Sequence, residues 1–403
     1  MNVLFIISQI QKGGGQAIQA INLAEHLIKK NNRVFFLTFK AKKRSKEISK
    51  KLTKFQIYCF NLFVNYLTIL LAPFLIIKIK KLVQKWKIDA IQSFDPHLSN
   101  LIAILLGKKL KIPVYCRTGA RYREFYEDKL LKGNILTKLI YYTKIPSILL
   151  SLLEYYTILR TRITISNSYH ILNALKRSFL LKFHNFNWKI VPNGVDLKKF
   201  SPNLKIPSKI SEKYKNKKII LYIGRIEDYK GIDTLIKALA IVYQKIQDFH
   251  LILIGSYSFN YLYYKKLRSL INQLKLLQNI SFLGEISHES VPFYLNLAEI
   301  LILPSYSPAR PILEGSPNVI LEAMASQRVV IASKIGGIPE IIQNKKNGLL
   351  FEPRNYSQLA DLLSSTLENP KEFSGLAEYG RKYVMEKHAF QDIANKYLNL
   401  YNS

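Results

Sequence analysis

Arg225 and Lys230 stand five residues apart in the run Gly224-Arg225-Ile226-Glu227-Asp228-Tyr229-Lys230-Gly231. The run follows the apolar segment Ile219 to Ile223 and precedes a helical pattern, so both cations fall at a strand end beside a helix start. There an arginine fork and a lysine point charge can grip a diphosphate from two sides; solvated surface charge is the plainer reading of an isolated pair. A second constellation is Glu314-Gly315-Ser316-Pro317-Asn318-Val319-Ile320-Leu321-Glu322-Ala323-Met324-Ala325. Glu314 sits in a Gly/Pro loop and Glu322 in a helix, an arrangement that lets both carboxylates face one ligand. Carboxylates accept hydrogen bonds from sugar hydroxyls, so one can hold a hexose and the other a ribose. The spacing alone means nothing; its loop-to-helix setting gives it weight.

Two glycine-rich turns are weaker signals. Lys12-Gly13-Gly14-Gly15-Gln16 lies between the first apolar run and the helical stretch Ala17 to Leu27. Glycines there let backbone N–H groups approach a phosphate, and the helix dipole favours its charge, but the spacing is not that of a dinucleotide fingerprint. Ser333-Lys334-Ile335-Gly336-Gly337-Ile338-Pro339-Glu340 again follows a strand pattern, where glycines make room for a ligand or simply make a turn.

The elements that must position these residues are short apolar runs alternating with amphipathic stretches, the pattern of βαβ units and parallel sheets. The first half offers Val3 to Ile7, Val34 to Phe39, Ala90 to Phe94, Val114 to Cys116 and Ile163 to Ile165 as strands. The second offers Ile219 to Ile223, Leu251 to Ile254, Ile280 to Leu283, Ile300 to Leu303, Val329 to Ala332 and Leu349 to Phe351. A chain of 403 residues exceeds one ordinary core, so two doubly wound domains are expected. The boundary falls at Val191-Pro192-Asn193-Gly194-Val195-Asp196, giving domains at 1–190 and 191–376. The helical segment 377–403 has no strand after it and is expected to pack back on the first domain.

With 48% hydrophobic and 12% aromatic residues the chain is expected to fold. Its net charge of +33 is lopsided: residues 1–190 hold 33 Lys/Arg against 8 Asp/Glu. Such a half is drawn to something anionic, either nucleic acid or an acidic membrane surface. Cys59 and Cys116 are too few for a disulfide framework and lack zinc-site spacing, which suits a reducing compartment. The opening apolar run has no basic n-region or cleavage site, so it reads as a strand and not a secretory leader. Residues 55–77 are uncharged and flanked by lysines, long enough to span a bilayer. Gln56, Asn61, Asn65, Thr68 and Pro73 interrupt them, so one or two helices with an apolar face, buried or partly laid on lipid, are expected instead. Ile145 to Leu159, holding Pro146 and Glu154, is a weaker candidate of the same kind.

Taken in order, these stretches resemble the retaining glycosyltransferases of family 4, the group 1 glycosyl transferases, strongly over residues 190–365 and loosely before. Val191 to Asp196, followed by Phe200-Ser201-Pro202, looks like the family's linker; Gly224-Arg225 with Lys230-Gly231 looks like its phosphate clamp; Glu314 to Ala325 looks like its two-glutamate motif. The resemblance implies a GT-B fold, two Rossmann-like doubly wound domains facing across a cleft, the first for acceptor and the second for nucleotide sugar. It implies that Arg225 and Lys230 neutralise the donor diphosphate and the charge building on it, so that no metal and no cofactor are needed. It further implies that Glu322 binds the ribose and Glu314 the donor hexose, that Gly224, Pro317, Asn318 and Val319 supply contacts near phosphate and sugar, and that Gly14 and Gly15 face them. The acceptor-side run Gln92-Ser93-Phe94-Asp95-Pro96-His97 departs from the commonest, histidine-rich pattern but resembles a variant with His five residues after Gln. His97 is therefore the candidate active-site histidine, the alternative being that it only caps or orients the next helix. Arg117, Arg121 and Arg123 follow the next strand and offer cations to an anionic acceptor.

The implied partners are a UDP- or GDP-sugar donor, a cell-envelope glycan or lipid-linked acceptor, and peripheral contact with the inner face of the cytoplasmic membrane. Two other readings compete with this one. A nucleic-acid-binding protein would explain the charge but brings no recognisable motif. A nicotinamide-dependent oxidoreductase would explain two doubly wound domains, yet Phe39-Lys40 stand where the second strand should end in an acid.

Overall fold

Val3-Leu4-Phe5-Ile6-Ile7 is apolar at every position, as a parallel strand covered on both faces must be. In the computed structural model this strand lies at the centre of the first of two parallel sheets. Val3, Phe5 and Ile7 enter one core while Leu4 and Ile6 enter another on the opposite face. The structure describes residues 1–9, 15–40, 56–59, 72–119, 145–178, 180–258, 260–307 and 314–403.

By its internal contacts the chain forms two compact units, Met1–Asn193 with Phe390–Ser403, and Gly194–Ala389. The first contains β1 (Asn2–Gln9), α1 (Gly15–Lys29), β2 (Arg33–Lys40), β3 (Gln56–Cys59), α2 (Ala72–Lys85), β4 (Ala90–Ser93), α3 (Leu98–Leu110), β5 (Val114–Thr118), α4 (Ile145–Leu159), β6 (Ile163–Ser166), α5 (Tyr169–Lys176) and β7 (Trp188–Ile190). Its seven strands run in the order β3-β2-β1-β4-β5-β6-β7, all parallel. The second contains α6 (Ser208–Lys213), β8 (Lys218–Ile223), α7 (Ile232–Val242), β9 (Phe249–Ile254), α8 (Tyr261–Gln273), β10 (Ile280–Gly284), α9 (Val291–Leu297), β11 (Ile300–Leu303), α10 (Asn318–Ala325), β12 (Val329–Ser333), α11 (Ile338–Ile341), β13 (Leu349–Phe351), α12 (Tyr356–Glu368) and α13 (Ser374–Lys387). Its six parallel strands run β10-β9-β8-β11-β12-β13 around a single large core. Both sheets are doubly wound.

The last helix, α14 (Phe390–Asn402), returns to the first unit, where Ile393, Ala394, Tyr397 and Tyr401 join the core that α1 covers. The helical tail is broken at His388-Ala389: α13 stays with the second unit, which runs to Ala389, past the expected limit of 376, because Ala377 and Val384 are buried in that unit's core. Val195 N–H donates to the His388 carbonyl at 2.8 Å, so this unit's first and last residues are tied together.

Two short edge strands escape the expected set. β7 has three residues, and β3 opens the uncharged stretch 55–77 that was expected to be helical. Strands of three or four residues show too little periodicity to be told from a helix fragment. Residue 55 and residues 60–71 of that stretch lie outside the described residues. Among the described residues no helix is long and apolar enough to cross a membrane.

Candidate functional site

In an open parallel sheet, ligands bind outside the carboxyl ends of the strands where the strand order reverses. In the second unit that point lies between β8 and β11. β8 leads into Gly224-Arg225, and β11 into Pro304-Ser305-Tyr306.

Glu314 is clasped by both strand ends. Its Oε1 accepts from the Lys230 ammonium, at the end of the turn after β8, and from the Ser305 hydroxyl at 2.9 Å, two residues past β11. Both side chains of the ion pair are largely buried, with 13% of Lys230 and 10% of Glu314 exposed. Burial alone would raise the Glu314 carboxyl, but the Lys230 ammonium, helped by Ser305 and Arg225, holds it below its usual range. Burial likewise works against the Lys230 ammonium, and Glu314 more than reverses it, lifting Lys230 above its usual range. Both groups are therefore ionised at neutral pH.

Arg225 is anchored differently. Its Nη1 meets Glu227 Oε1 at 2.7 Å and its Nη2 donates to the Tyr229 hydroxyl, while 40% of the side chain remains exposed. Glu227 is buried, so the fork is held from behind with a face toward solvent. Glycine is needed twice around the turn that carries it. Gly231, φ +67°, would place a Cβ 2.0 Å from the Pro304 carbonyl oxygen, and Gly255, φ +146°, would place one 1.7 Å from the Gly224 carbonyl oxygen. The backbones of the β8, β9 and β11 ends thus approach too closely for any side chain.

The Ser333–Glu340 turn serves Glu314 as well. Gly336 runs against the Glu314 backbone, and the Gly337 N–H donates to the Glu314 carbonyl at 2.6 Å. Its glycines therefore bring the motif loop close, which neither a ligand-cradling nor a plain-turn reading anticipates. Glu322 lies one helical turn from the end of α10, whose N-cap is Pro317 and whose first residues are Asn318 and Val319. Its Oε1 is 3.0 Å from His288 Nε2.

In the first unit the order reverses between β1 and β4. Gly14 lies outside the described residues, as do Arg121 and Arg123. Gly15 begins α1, and Gln16 donates its side-chain amide to the Phe94 carbonyl, joining the start of α1 to the end of β4. His97 is the N-cap residue of α3 and 4% exposed, its backbone N–H donating to Asp95 Oδ1 at 3.1 Å. Burial drives its imidazole down to about 4 against the opposing pull of Asp95, so at neutral pH His97 is an uncharged hydrogen-bonding group. Gln92 is engaged elsewhere, accepting from the Tyr401 hydroxyl of α14 at 3.1 Å. Arg117 departs from the expectation of a cation open to an acceptor. It is 3% exposed, gives Nη1 to the Tyr397 hydroxyl and Nη2 to Asn193 Oδ1, and so fastens α14 and the linker to the sheet. The strand is buried on both faces, leaving an inward arginine no route to solvent.

Sequence reasoning did not single out Glu227, Tyr229, Ser305, His288 or Lys199. Ser305 and the His288 loop lie at carboxyl ends of strands and could have been flagged on that ground; Glu227 shares the turn of Arg225. Among the described residues no three His, Cys, Asp or Glu side chains gather as a metal-ligand set.

Comparison with known proteins adds the family. The family model for Glycosyl transferases group 1 matches residues 205–383, and that for Glycosyltransferase Family 4 matches residues 13–199. A GDP-mannose-dependent alpha-(1-6)-phosphatidylinositol monomannoside mannosyltransferase of Mycobacterium tuberculosis is 26% identical over 51% of this chain and 53% of its own length. Spore coat protein SA of Bacillus subtilis is 28% identical over 53% of this chain and 58% of its own. The chain thus spans about half the length of the curated relatives it matches. Among solved structures, Anabaena HepE in complex with UDP and glucose superposes with a TM-score of 0.78 at 20% identity, covering 99% of both chains. Sucrose-phosphate synthase from Thermosynechococcus elongatus gives 0.77 at 20% identity, covering 100% of this chain and 98% of its own. At these identities the structural likeness speaks to the fold.

Proposed function

Because the chain belongs to glycosyltransferase family 4, within the group 1 glycosyl transferases, we propose that it moves a hexose or related sugar from a nucleoside-diphosphate donor to an acceptor with retention at the anomeric carbon. The observation that carries this reading is the convergence of Arg225, Lys230, Glu314 and Ser305 on the reversal point of the second sheet. Arg225 presents an exposed, pre-oriented fork, and Lys230 a charge that a phosphate can draw from Glu314. Together they stabilise the diphosphate as the bond from the sugar C1 to the phosphate oxygen breaks. That oxygen leaves with the bonding pair, the acceptor hydroxyl oxygen bonds C1 on the same face, and the hydroxyl proton passes to a phosphate oxygen. Arg225 and Lys230 carry the charge neutralisation in this reading without a divalent ion.

Glu314 then takes the donor hexose and Glu322 the ribose, with Gly224, Pro317, Asn318 and Val319 beside phosphate and sugar, where the α10 N-terminus favours negative charge. Gly14, Gly15 and the neutral His97 are assigned to the active site from the first unit, which is read as the acceptor-binding domain. The curated relative is named for GDP-mannose and HepE was crystallised with UDP, so both nucleotides are probes. UDP or GDP at millimolar concentration should raise the melting temperature by a few degrees and NAD should not. Stabilisation by NAD alone would sink the reading in favour of an oxidoreductase.

The acceptor is proposed to be a cell-envelope glycan or a lipid-linked one, with the protein held peripherally on the inner face of the cytoplasmic membrane. The basic first half supports this, as do Ile77 on α2 and Ile148, Leu149 and Leu152 on α4, all exposed. The protein should sediment with anionic phospholipid vesicles at moderate salt and not with neutral ones; failure to sediment removes the membrane attachment.

A further inference from the structure

His288 lies in the loop between β10 and α9, at a strand's carboxyl end. Its Nε2 is 3.0 Å from Glu322 Oε1, its Nδ1 is 2.8 Å from Lys199 Nζ, and its ring meets that of Phe200 at 5.5 Å. An ammonium has donors only, so Nδ1 must accept and the ring proton must sit on Nε2, aimed at the carboxylate. Each flank of this relay is fixed. Asp196 Oδ1 accepts from the N–H groups of Lys198 and Lys199 at 3.0 and 3.1 Å, and neighbouring Phe200 is buried. On the other side the Ser290 N–H donates to the Ser287 carbonyl at 3.0 Å, and the two hydroxyls lie 2.8 Å apart, closing a turn around His288. The side chains of His288 and Glu322 are 17% and 10% exposed, so the contact is shielded from water.

We propose that Lys199 and His288 are positioning residues: they hold one oxygen of Glu322 so that the other meets the two ribose hydroxyls of the donor. This rests on the reading of Glu322 as the ribose ligand. Glutamate in a helix has three side-chain torsions to fix, and fixing them before the nucleotide arrives removes that entropy loss from binding. The linker residue Lys199, which touches no nucleotide in this scheme, thereby contributes to recognising a ribonucleotide.

The test is titration calorimetry with UDP or GDP, whichever binds, and with its 2′,3′-dideoxy counterpart. His288→Ala is expected to weaken the ribonucleotide about tenfold and leave the dideoxynucleotide unchanged. His288→Gln, which keeps an N–H near the Nε2 position, should restore most of the affinity. Lys199→Met should lose less in the same direction, and His288→Ala with Glu322→Ala should bind no worse than Glu322→Ala alone. A merely structural His288 would weaken both nucleotides alike, and that result overturns the proposal, as does wild-type discrimination in both His288→Ala and Lys199→Met. If Glu322→Ala itself leaves ribose discrimination intact, the ribose reading fails first and the positioning role with it.

Discussion

Lys230→Ala is expected to lower kcat by about a thousandfold and, separately, to destabilise the second unit by about 3 kcal/mol. The first effect follows from removing a fixed charge where the leaving diphosphate gathers its own. The second arises because the variant takes the ammonium from the buried Glu314 carboxylate and leaves it the Ser305 hydroxyl as its side-chain hydrogen-bond partner among the described residues. A double variant separates them. Lys230→Ala with Glu314→Gln removes the stranded charge, so thermal unfolding should move back toward wild type while turnover stays low. If the double variant regained turnover, Lys230 would be a structural partner of Glu314 and nothing more. The pair also sets a pH profile. Glu314 is held below its ordinary 4.5, so its contribution to stability is complete above that value and disappears as pH falls through the lower folded one. Lys230 is raised above 10.5, so its contribution is complete below that value and is lost only as pH climbs through the higher folded one. Melting temperature should fall in acid for the wild type, and Glu314→Gln should flatten that limb.

Arg225→Ala should reduce kcat/KM by about a hundredfold with little change in melting temperature, since much of the side chain faces solvent. Arg225→Lys is expected to recover almost none of the loss. The guanidinium meets Glu227 through Nη1 and Tyr229 through Nη2, a two-point planar arrangement that a single ammonium cannot reproduce. Unchanged kcat/KM in Arg225→Ala would remove it from the clamp.

Much of this site can be read from the chain itself. The run from Ile219 to Gly231 announces a strand, a turn and two cations, and the folded unit brings the turn to the reversal point of its sheet. Glu314 and Glu322 are visible as a loop-to-helix pair. What the sequence hides is which charges already face each other. Lys230 and Glu314 lie 84 residues apart, and their pairing depends on β8 and β11 being adjacent in a sheet whose order no local pattern states. The same holds for Arg117, which looks like a surface cation until α14, some 280 residues on, closes over it. His288 and Lys199 are invisible for a related reason, since each is an ordinary polar residue until Glu322 comes within reach. The edge strands β3 and β7 are missed because so few residues carry no readable period.

Diffraction from crystals soaked with UDP or GDP bears most directly on the whole account. It predicts the pyrophosphate beside the Gly224 turn, within hydrogen-bonding distance of Arg225 and of a Lys230 that has swung from Glu314 toward phosphate, with the ribose on Glu322. A pyrophosphate bound elsewhere, with the Lys230–Glu314 pair undisturbed, would contradict it.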